Sequence, residues 1–367
     1  MSDPRVPEPV LEVSGLSVEY VLDRGSVRAV DDVSFTVGRG EFLGIVGESG
    51  CGKSTLLFAV AQLLAPPARV EAGDVRFKGT SLVGLTDRQL AATRWRDLSV
   101  VMQSAMNALN PVKSIGAQFK DALRAHGVRR ADEIAARSAE VLKMVGIDPA
   151  HLRSYPHQLS GGMRQRAMIA MAMLFTPELV IMDEPTSALD VVAQRSLMVQ
   201  IKELQEAYGF AIIFVTHDMS LISHFSDRLL VMYAGRAVET GDVEEVYRRP
   251  RMPYTLGLLG SLPRLDTDRG GPLRPIPGSP PSLLNLPPGC SFAARCPLAF
   301  EQCLREEPAL KHVTSLGHRA ACHRSAELEG VGTELFAPTW SDTGDGFVDP
   351  ASVRHTVAAP SDRKSVV

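Results

Sequence analysis

Between Leu11 and Val37 apolar and polar positions alternate in two patches, Leu16/Val18/Tyr20 and Val33/Phe35/Val37. A period of two puts successive side chains on opposite faces, so the pattern predicts strands with one wetted face in an antiparallel sheet. Phe42 to Val46 is apolar without a break and runs into glycines, as a strand buried on both faces does; Lys53 to Leu64 continues as a helix that Pro66-Pro67 ends. Two more unbroken runs, Leu179 to Met182 and Ala211 to Val215, end at polar residues and flank a helical stretch from Val191 to about Ala207. This succession predicts an α/β fold with a parallel sheet. Residues 113–175 lack alternation and read as a helical insertion, with an apolar helix from Met168 to Phe175 that stops before Pro177.

The texture changes after Val246. Eight prolines fall between Pro263 and Pro288, the composition of an extended linker and a domain boundary. Behind it lie Cys290, Cys296, Cys303 and Cys322, four of the five cysteines, in a short segment whose core candidates are Phe292, Leu298, Phe300 and Leu304. From about Ala326 the chain turns to Gly, Ser, Asp and Pro without periodicity, which predicts a mobile tail over 326–367. Composition narrows the classes. At 367 residues, 45% hydrophobic and 22% charged, the chain is a folded protein larger than one ordinary domain, and a net charge of -3 lacks the basic footprint of a nucleic-acid binder. The best apolar run, Leu56 to Ala65, holds Gln62 and falls short of the roughly 18–20 residues that span a bilayer. Met1 to Pro9 carries Asp3, Glu8 and three prolines where a secretory signal needs basic and then apolar residues, so a cytoplasmic location is expected.

Gly47-Glu48-Ser49-Gly50-Cys51-Gly52-Lys53-Ser54 fits G-x-x-x-x-G-K-[ST] after a buried strand and at a helix start. Glycines let backbone N–H groups turn inward around phosphates, Lys53 reaches the β- and γ-phosphates, and Ser54, followed by Thr55, places a hydroxyl on Mg²⁺. Cys51 occupies a small-residue position; a backbone spacer is one reading and a redox-sensitive thiol the other. Leu179 to Glu184 ends a buried strand in two carboxylates, where Asp183 can hold the metal and Glu184 can polarise a water near the γ-phosphate.

Leu159-Ser160-Gly161-Gly162-Met163-Arg164-Gln165-Arg166 offers a second glycine-rich, Ser-capped helix start. With this segment the chain resembles the ATP-binding subunits of ABC transporters, whose signature is close to L-S-G-G-Q. The resemblance implies a P-loop ATPase over residues 10–260 with a mixed sheet core, an antiparallel β subdomain and a helical subdomain at about 104–175. It implies head-to-tail pairing, in which Ser160, Gly161, Gly162 and Met163 face the γ-phosphate held by the partner's equivalent of Lys53. By the same resemblance Tyr20 stacks on adenine, Gln103 touches Mg²⁺ and the attacking water, Ser187-Ala188-Leu189-Asp190 crosses the dimer interface, and His217 contacts the γ-phosphate. Glu184 keeps the carboxylate that a hydrolytic site requires.

Tyr155-Pro156-His157-Gln158, Met163 in place of the usual glutamine, and Arg249-Pro250-Arg251-Met252-Pro253-Tyr254-Thr255 are similar to the oligopeptide and dipeptide importer ATPases, with Met252 where a histidine is usual. Nickel importers share this branch, so nickel or another small solute stays open as cargo. A soluble ABC ATPase of translation or DNA repair is the other alternative; it would bring a second cassette or a long coiled coil. The resemblance implies two membrane-spanning permease subunits contacted through 104–160, a second ABC ATPase subunit that is a paralogue (a heterodimer), an indirect role for an extracytoplasmic substrate-binding protein, and a peripheral place on the cytoplasmic face of the cell membrane. Residues 261–325 would then be the linker and carboxy-terminal segment of that branch. The spacing Cys290-x5-Cys296-x6-Cys303-x18-Cys322 matches it, and four thiolates there can ligate a [4Fe-4S] cluster. Zinc is less apt because no C-x(2–4)-C knuckle is present, and an unligated segment remains open.

Overall fold

The computed structural model describes residues 9–23, 25–103, 108–187, 189–261, 275–314, 317–331 and 335. Strands β1 (Pro9–Leu22), β2 (Gly25–Gly38), β4 (Ala68–Phe77) and β5 (Thr80–Ser81) form an antiparallel sheet in the order β2-β1-β4-β5. Leu11, Val13, Leu16 and Val18 pack against Val33, Phe35 and Val37 in its buried face, as the alternation predicts.

The second sheet has eight strands. Its parallel part holds β3 (Phe42–Val46), β6 (Leu98–Val101), β7 (Leu179–Asp183), β8 (Ala211–Thr216) and β9 (Arg228–Tyr233); β10 (Arg236–Asp242), β11 (Lys311–His312) and β12 (Arg319–Ala320) extend it antiparallel, giving the order β11-β12-β10-β9-β3-β8-β7-β6. Within β7 and β8, Leu179, Ile181, Ile213 and Val215 face the antiparallel sheet, while Val180, Met182, Ile212 and Phe214 face a helical layer. Both faces are covered, which is why these strands read as unbroken apolar runs.

Helix α1 (Lys53–Val60) follows the phosphate loop and α2 (Asp87–Thr93) precedes β6. The expected continuation of α1 to Leu64 is overturned. Gln62 adopts φ 54°, its N–H returns to the Ala59 carbonyl and the Leu63 N–H to that of Phe58, a Schellman closure that ends the helix before the prolines act. In the helical insertion α3 (Ile115–Ala125) buries Ile115, Phe119, Ala122 and Leu123 on one face, and α4 (Ala131–Met144) buries Ile134, Val141 and Leu142. Helix α5 (Gly161–Ala172) begins seven residues before the expected Met168, because Ser160 caps it, and ends short of Phe175. Then come α6 (Val191–Tyr208), α7 (Met219–Ser223), α8 (Val243–Arg248) and α9 (Pro253–Gly260). Among the described residues no helix is long and apolar enough to cross a membrane.

Residues 262–274 of the proline-rich stretch lie outside the described residues, and residues 275–289 form no helix or strand. The cysteine segment beyond them packs on the main core. Its β12 pairs with β10 at Glu239↔Ala320 and Thr240↔Arg319, and Phe292 and Leu328 are buried in the core that holds Tyr233 and Tyr254. Of its expected core residues Phe292 is buried and Leu298 partly so. Phe300 and Leu304 are exposed, because the single turn α10 (Glu301–Arg305) directs Cys303 inward. The turn Ser325–Leu328 packs the first residues of the expected tail; residues 336–367 lie outside the described ones.

A buried polar pair fastens this segment. His318 Nε2 lies 2.7 Å from Glu239 Oε1, both side chains are fully buried, and the same oxygen accepts from the Arg251 N–H at 2.5 Å. Removing one partner strands the other in a medium that cannot solvate it. His318→Ala should therefore lower the unfolding free energy in urea by about 1–3 kcal/mol, whereas no measurable loss would show the pair to be incidental.

Candidate nucleotide-binding site

The phosphate loop leaves β3 at Val46, and its glycines are dictated by crowding. A Cβ on Gly47 would stand 2.3 Å from the Met232 carbonyl oxygen and one on Gly52 2.1 Å from that of Ala29, with both residues at positive φ. The backbone is thus wedged between β9 and β2, in a shape that L side chains cannot take. Lys53 is buried, and its ammonium donates to the carbonyls of Gly47 at 2.7 Å and Glu48 at 2.9 Å. Tyr20 stands beside the helix start, its hydroxyl 3.1 Å from Thr55 Oγ1.

Asp183 ends β7, buried, with Oδ1 lacking any hydrogen-bond partner. Burial pushes its carboxyl above the ordinary range, a shift that the hydrogen bond from Ser54 opposes. An orphaned carboxylate oxygen beside a hydroxyl and Lys53 is an oxygen-donor arrangement that Mg²⁺ fits. Next to it, Glu184 is held at φ 43°, with its N–H donating to the Val215 carbonyl at 2.9 Å. That left-handed conformation, costly for a residue with a Cβ, aims the carboxylate between two partners. Gln103 Nε2 donates to Oε2 at 2.8 Å and His217 Nδ1 lies 3.2 Å from Oε1. Three residues far apart in sequence meet here.

Ser160 and Asp190 are placed differently. Ser160 Oγ accepts from the Met163 N–H at 3.2 Å, with Gly161 and Gly162 opening α5, which packs against α4 and β6. Asp190 caps α6 through the Ala193 N–H at 2.8 Å, and Val191 and Val192 beside it are each 80% exposed. Ala188 lies outside the described residues. Ser160 and Asp190 are exposed and Gly161 to Met163 half-buried, and none of them joins the cluster around Lys53.

Three residues to which the sequence reading gives no part in the nucleotide site complete the loop's surroundings. Tyr254 Oη accepts the Glu48 N–H at 2.8 Å; Arg295 forks onto the Glu48 carboxylate at 2.6 and 2.8 Å; and the Tyr233 hydroxyl lies 3.3 Å from Arg295 Nη1. Tyr254 lies in the stretch that resembles the importer branch. Arg295 carries no local signal beyond its place one residue before Cys296.

Cys51 is buried, and burial raises its thiol pKa against the opposing effect of Lys53, which favours the spacer over the reactive thiol. Cys290, Cys296, Cys303 and Cys322 line one small pocket with Met252 and Phe292. Burial raises the Cys290 thiol and pushes those of Cys296 and Cys322 up to about 12 and about 11. Among the described residues no group of three His, Cys, Asp or Glu side chains is set to hold a metal ion. The structure thus gathers the four sulfurs without showing the expected [4Fe-4S] cage; as neutral thiols, Cys290, Cys296 and Cys322 pack against the apolar core.

Fold and site define an ATP-binding cassette. The ABC transporter family profile matches residues 30–187, and that of the oligopeptide/dipeptide transporter C-terminal region matches 238–303. The dimeric ATP-binding cassette MJ0796 in a post-hydrolysis state with ADP and Pi superposes with a TM-score of 0.57 at 27% identity over 64% of this chain and 98% of that one. The cbiO1 chain of Clostridium perfringens, part of the cbiONQ complex, gives 0.56 at 28% over 65% and 91%. The oligopeptide transport ATP-binding protein OppD of Salmonella typhimurium is 42% identical over 88% of this chain and 97% of its own, and the dipeptide transport ATP-binding protein DppD of Bacillus subtilis 43% over 86% and 94%. OppD of Mycobacterium tuberculosis is 46% identical over 88% of this chain, which spans only 53% of that relative. The chain belongs to the family of oligopeptide and dipeptide ABC transporter ATP-binding proteins.

Raised thiol pKa values mean fewer thiolates at a given pH. Iodoacetamide at pH 8 should therefore label Cys51 and the half-buried Cys296 of the folded, metal-free chain far more slowly than in denaturant; equal rates would contradict that shielding.

Proposed function

We propose that the chain binds and hydrolyses ATP with Mg²⁺ as one of two paired ATPase subunits that power peptide import, working at the cytoplasmic face of the cell membrane. The observation that carries this reading is the convergence of Gln103, Glu184 and His217 beside the buried Asp183 and Lys53. Lys53 and the loop N–H groups from Gly47 to Thr55 take the phosphates, and Ser54, Asp183 and Gln103 hold Mg²⁺. Glu184 orients or deprotonates the attacking water, His217 meets the γ-phosphate, and Tyr20 stacks on adenine. Ser160 to Met163 and Asp190, with Ser160 and Asp190 exposed as helix caps, serve the nucleotide of a second, paralogous subunit.

The same reading assigns residues 10–260 to the nucleotide-binding domain, with its helical subdomain at 104–175 meeting two permease subunits through 104–160. Residues 261–325 form the linker and cysteine segment. The peptide cargo comes from the names of the relatives; it would reach the permeases from an extracytoplasmic binding protein without touching this chain. Nucleic acid has no part in it, in keeping with a net charge of -3.

We also assign Cys290, Cys296, Cys303 and Cys322 as ligands of a [4Fe-4S] cluster. What supports it is the donor set: four thiols around one pocket, at spacings that contain no zinc knuckle. Ligation needs thiolates, so loading would release the protons that burial now retains. Its chemistry here would be a cross-link for a segment of small apolar content.

Glu184→Gln should keep nucleotide binding while hydrolysis falls by about 10²–10⁴-fold, and Lys53→Ala should lose both. Hydrolysis by Glu184→Gln at the unmodified rate would remove Glu184 from the chemistry. Anaerobic purification should yield about four irons and four sulfides per chain; zinc alone, or no metal in a folded segment, would refute the cluster.

A further inference from the structure

The phosphate loop is braced from a part of the chain nearly 250 residues away, and the bracing has the form of a positioning device. Arg295 lies in the single turn Ala293–Arg295, between Cys290 and Cys296. Its side chain is 6% exposed and that of Glu48 25%, so the pair is shielded from the solvent that makes ordinary surface pairs nearly worthless. All three guanidinium nitrogens are engaged: Nη1 and Nη2 on the two oxygens of Glu48, Nη1 also on the Tyr233 hydroxyl, and Nε on the Pro277 carbonyl at 2.9 Å. A planar fork held at every nitrogen fixes its carboxylate in orientation as well as position.

Glu48 is gripped a second time through its backbone. Its N–H donates to Tyr254, whose ring packs 4.5 Å from Tyr233 and 5.4 Å from Phe292 between ring centroids. The Glu48 carbonyl in turn accepts from Lys53 Nζ at 2.9 Å. A continuous path of contacts thus runs from the cysteine-bearing turn through Arg295 and Glu48 to the lysine that meets phosphate.

We propose that Arg295 is a positioning residue for the phosphate loop, so that nucleotide affinity depends on how the cysteine segment is seated. This rests on the reading of the loop as an ATP site. Without Arg295 the Glu48 carboxylate would be an unpaired negative charge within the anion cradle, free to compete with phosphate for Lys53. The loss should fall on binding more than on turnover, because Arg295 touches neither Glu184 nor its partners.

The test uses the full chain, a fluorescent ATP analogue for affinity, steady-state ATPase assays, and thermal unfolding to confirm that each variant is folded. Arg295→Ala should weaken the analogue by about ten-fold or more and raise KM by a larger factor than it lowers kcat. Arg295→Lys, which keeps the charge but loses the fork, should fall between. Adding Glu48→Gln to Arg295→Ala should recover most of the lost affinity, since the stray charge is then removed. Wild-type affinity in folded Arg295→Ala would overturn the proposal. So would a failure of Glu48→Gln to rescue, which would trace the loss to disturbed packing. Should Arg295→Ala not fold, Arg295→Lys alone decides, with unchanged affinity counting against the proposal. Absence of nucleotide binding by the unmodified chain would instead refute the ATP reading and this inference with it.

Discussion

The nucleotide site depends on one constraint, the shared register of parallel strands. Val46 pairs with Thr216, Asp183 with Val215 and Val101 with Met182, so β3, β6, β7 and β8 finish at one edge of the sheet. The segments leaving that edge carry the phosphate loop, Gln103, Glu184 and His217. Ligands in open parallel sheets bind outside the carboxyl ends of the strands for this reason. A slip of one strand would reverse its inward and outward side chains and separate the three residues that meet at Glu184. The burial of both sheet faces is what makes such a slip costly.

The carboxy-terminal segment is built into this arrangement. Strand β12 extends the sheet that carries the site, His318 sits against Glu239 of β10, and Arg295 reaches the phosphate loop. Each contact buries a charged or polar group against a partner from the other part of the chain, and burial raises the cost of parting them. A short segment with one large buried aromatic, Phe292, thereby gains a fixed seat.

Much of this was legible in the sequence, for reasons that can be named. Strands β3, β7 and β8 announce themselves because helices and a second sheet cover both faces, leaving no polar positions to interrupt the runs. The motif residues converge because each follows a parallel strand that finishes at the same sheet edge. The end of α1 was not legible, since it rests on Gln62 adopting a left-handed backbone that glycine more often supplies. Strand β10 was missed because Glu239 and Thr240 are buried polar residues within it, and β4 because much of it stays wet. Arg295 and His318 find partners 247 and 79 residues away, and no local pattern encodes a contact of that kind. Four cysteines can be counted in a sequence, but whether their sulfurs close around a metal is a matter of spacing in three dimensions.

The central claim is that this sheet edge binds ATP through a metal. Calorimetric titration of the full chain with ATP, in Mg²⁺ and again in excess chelator, addresses it directly. Saturable binding of one nucleotide per chain that weakens sharply without Mg²⁺ is the predicted result, because Asp183 holds an unpartnered buried oxygen beside Ser54. Equal affinity with and without the metal, or no binding at all, would contradict the account.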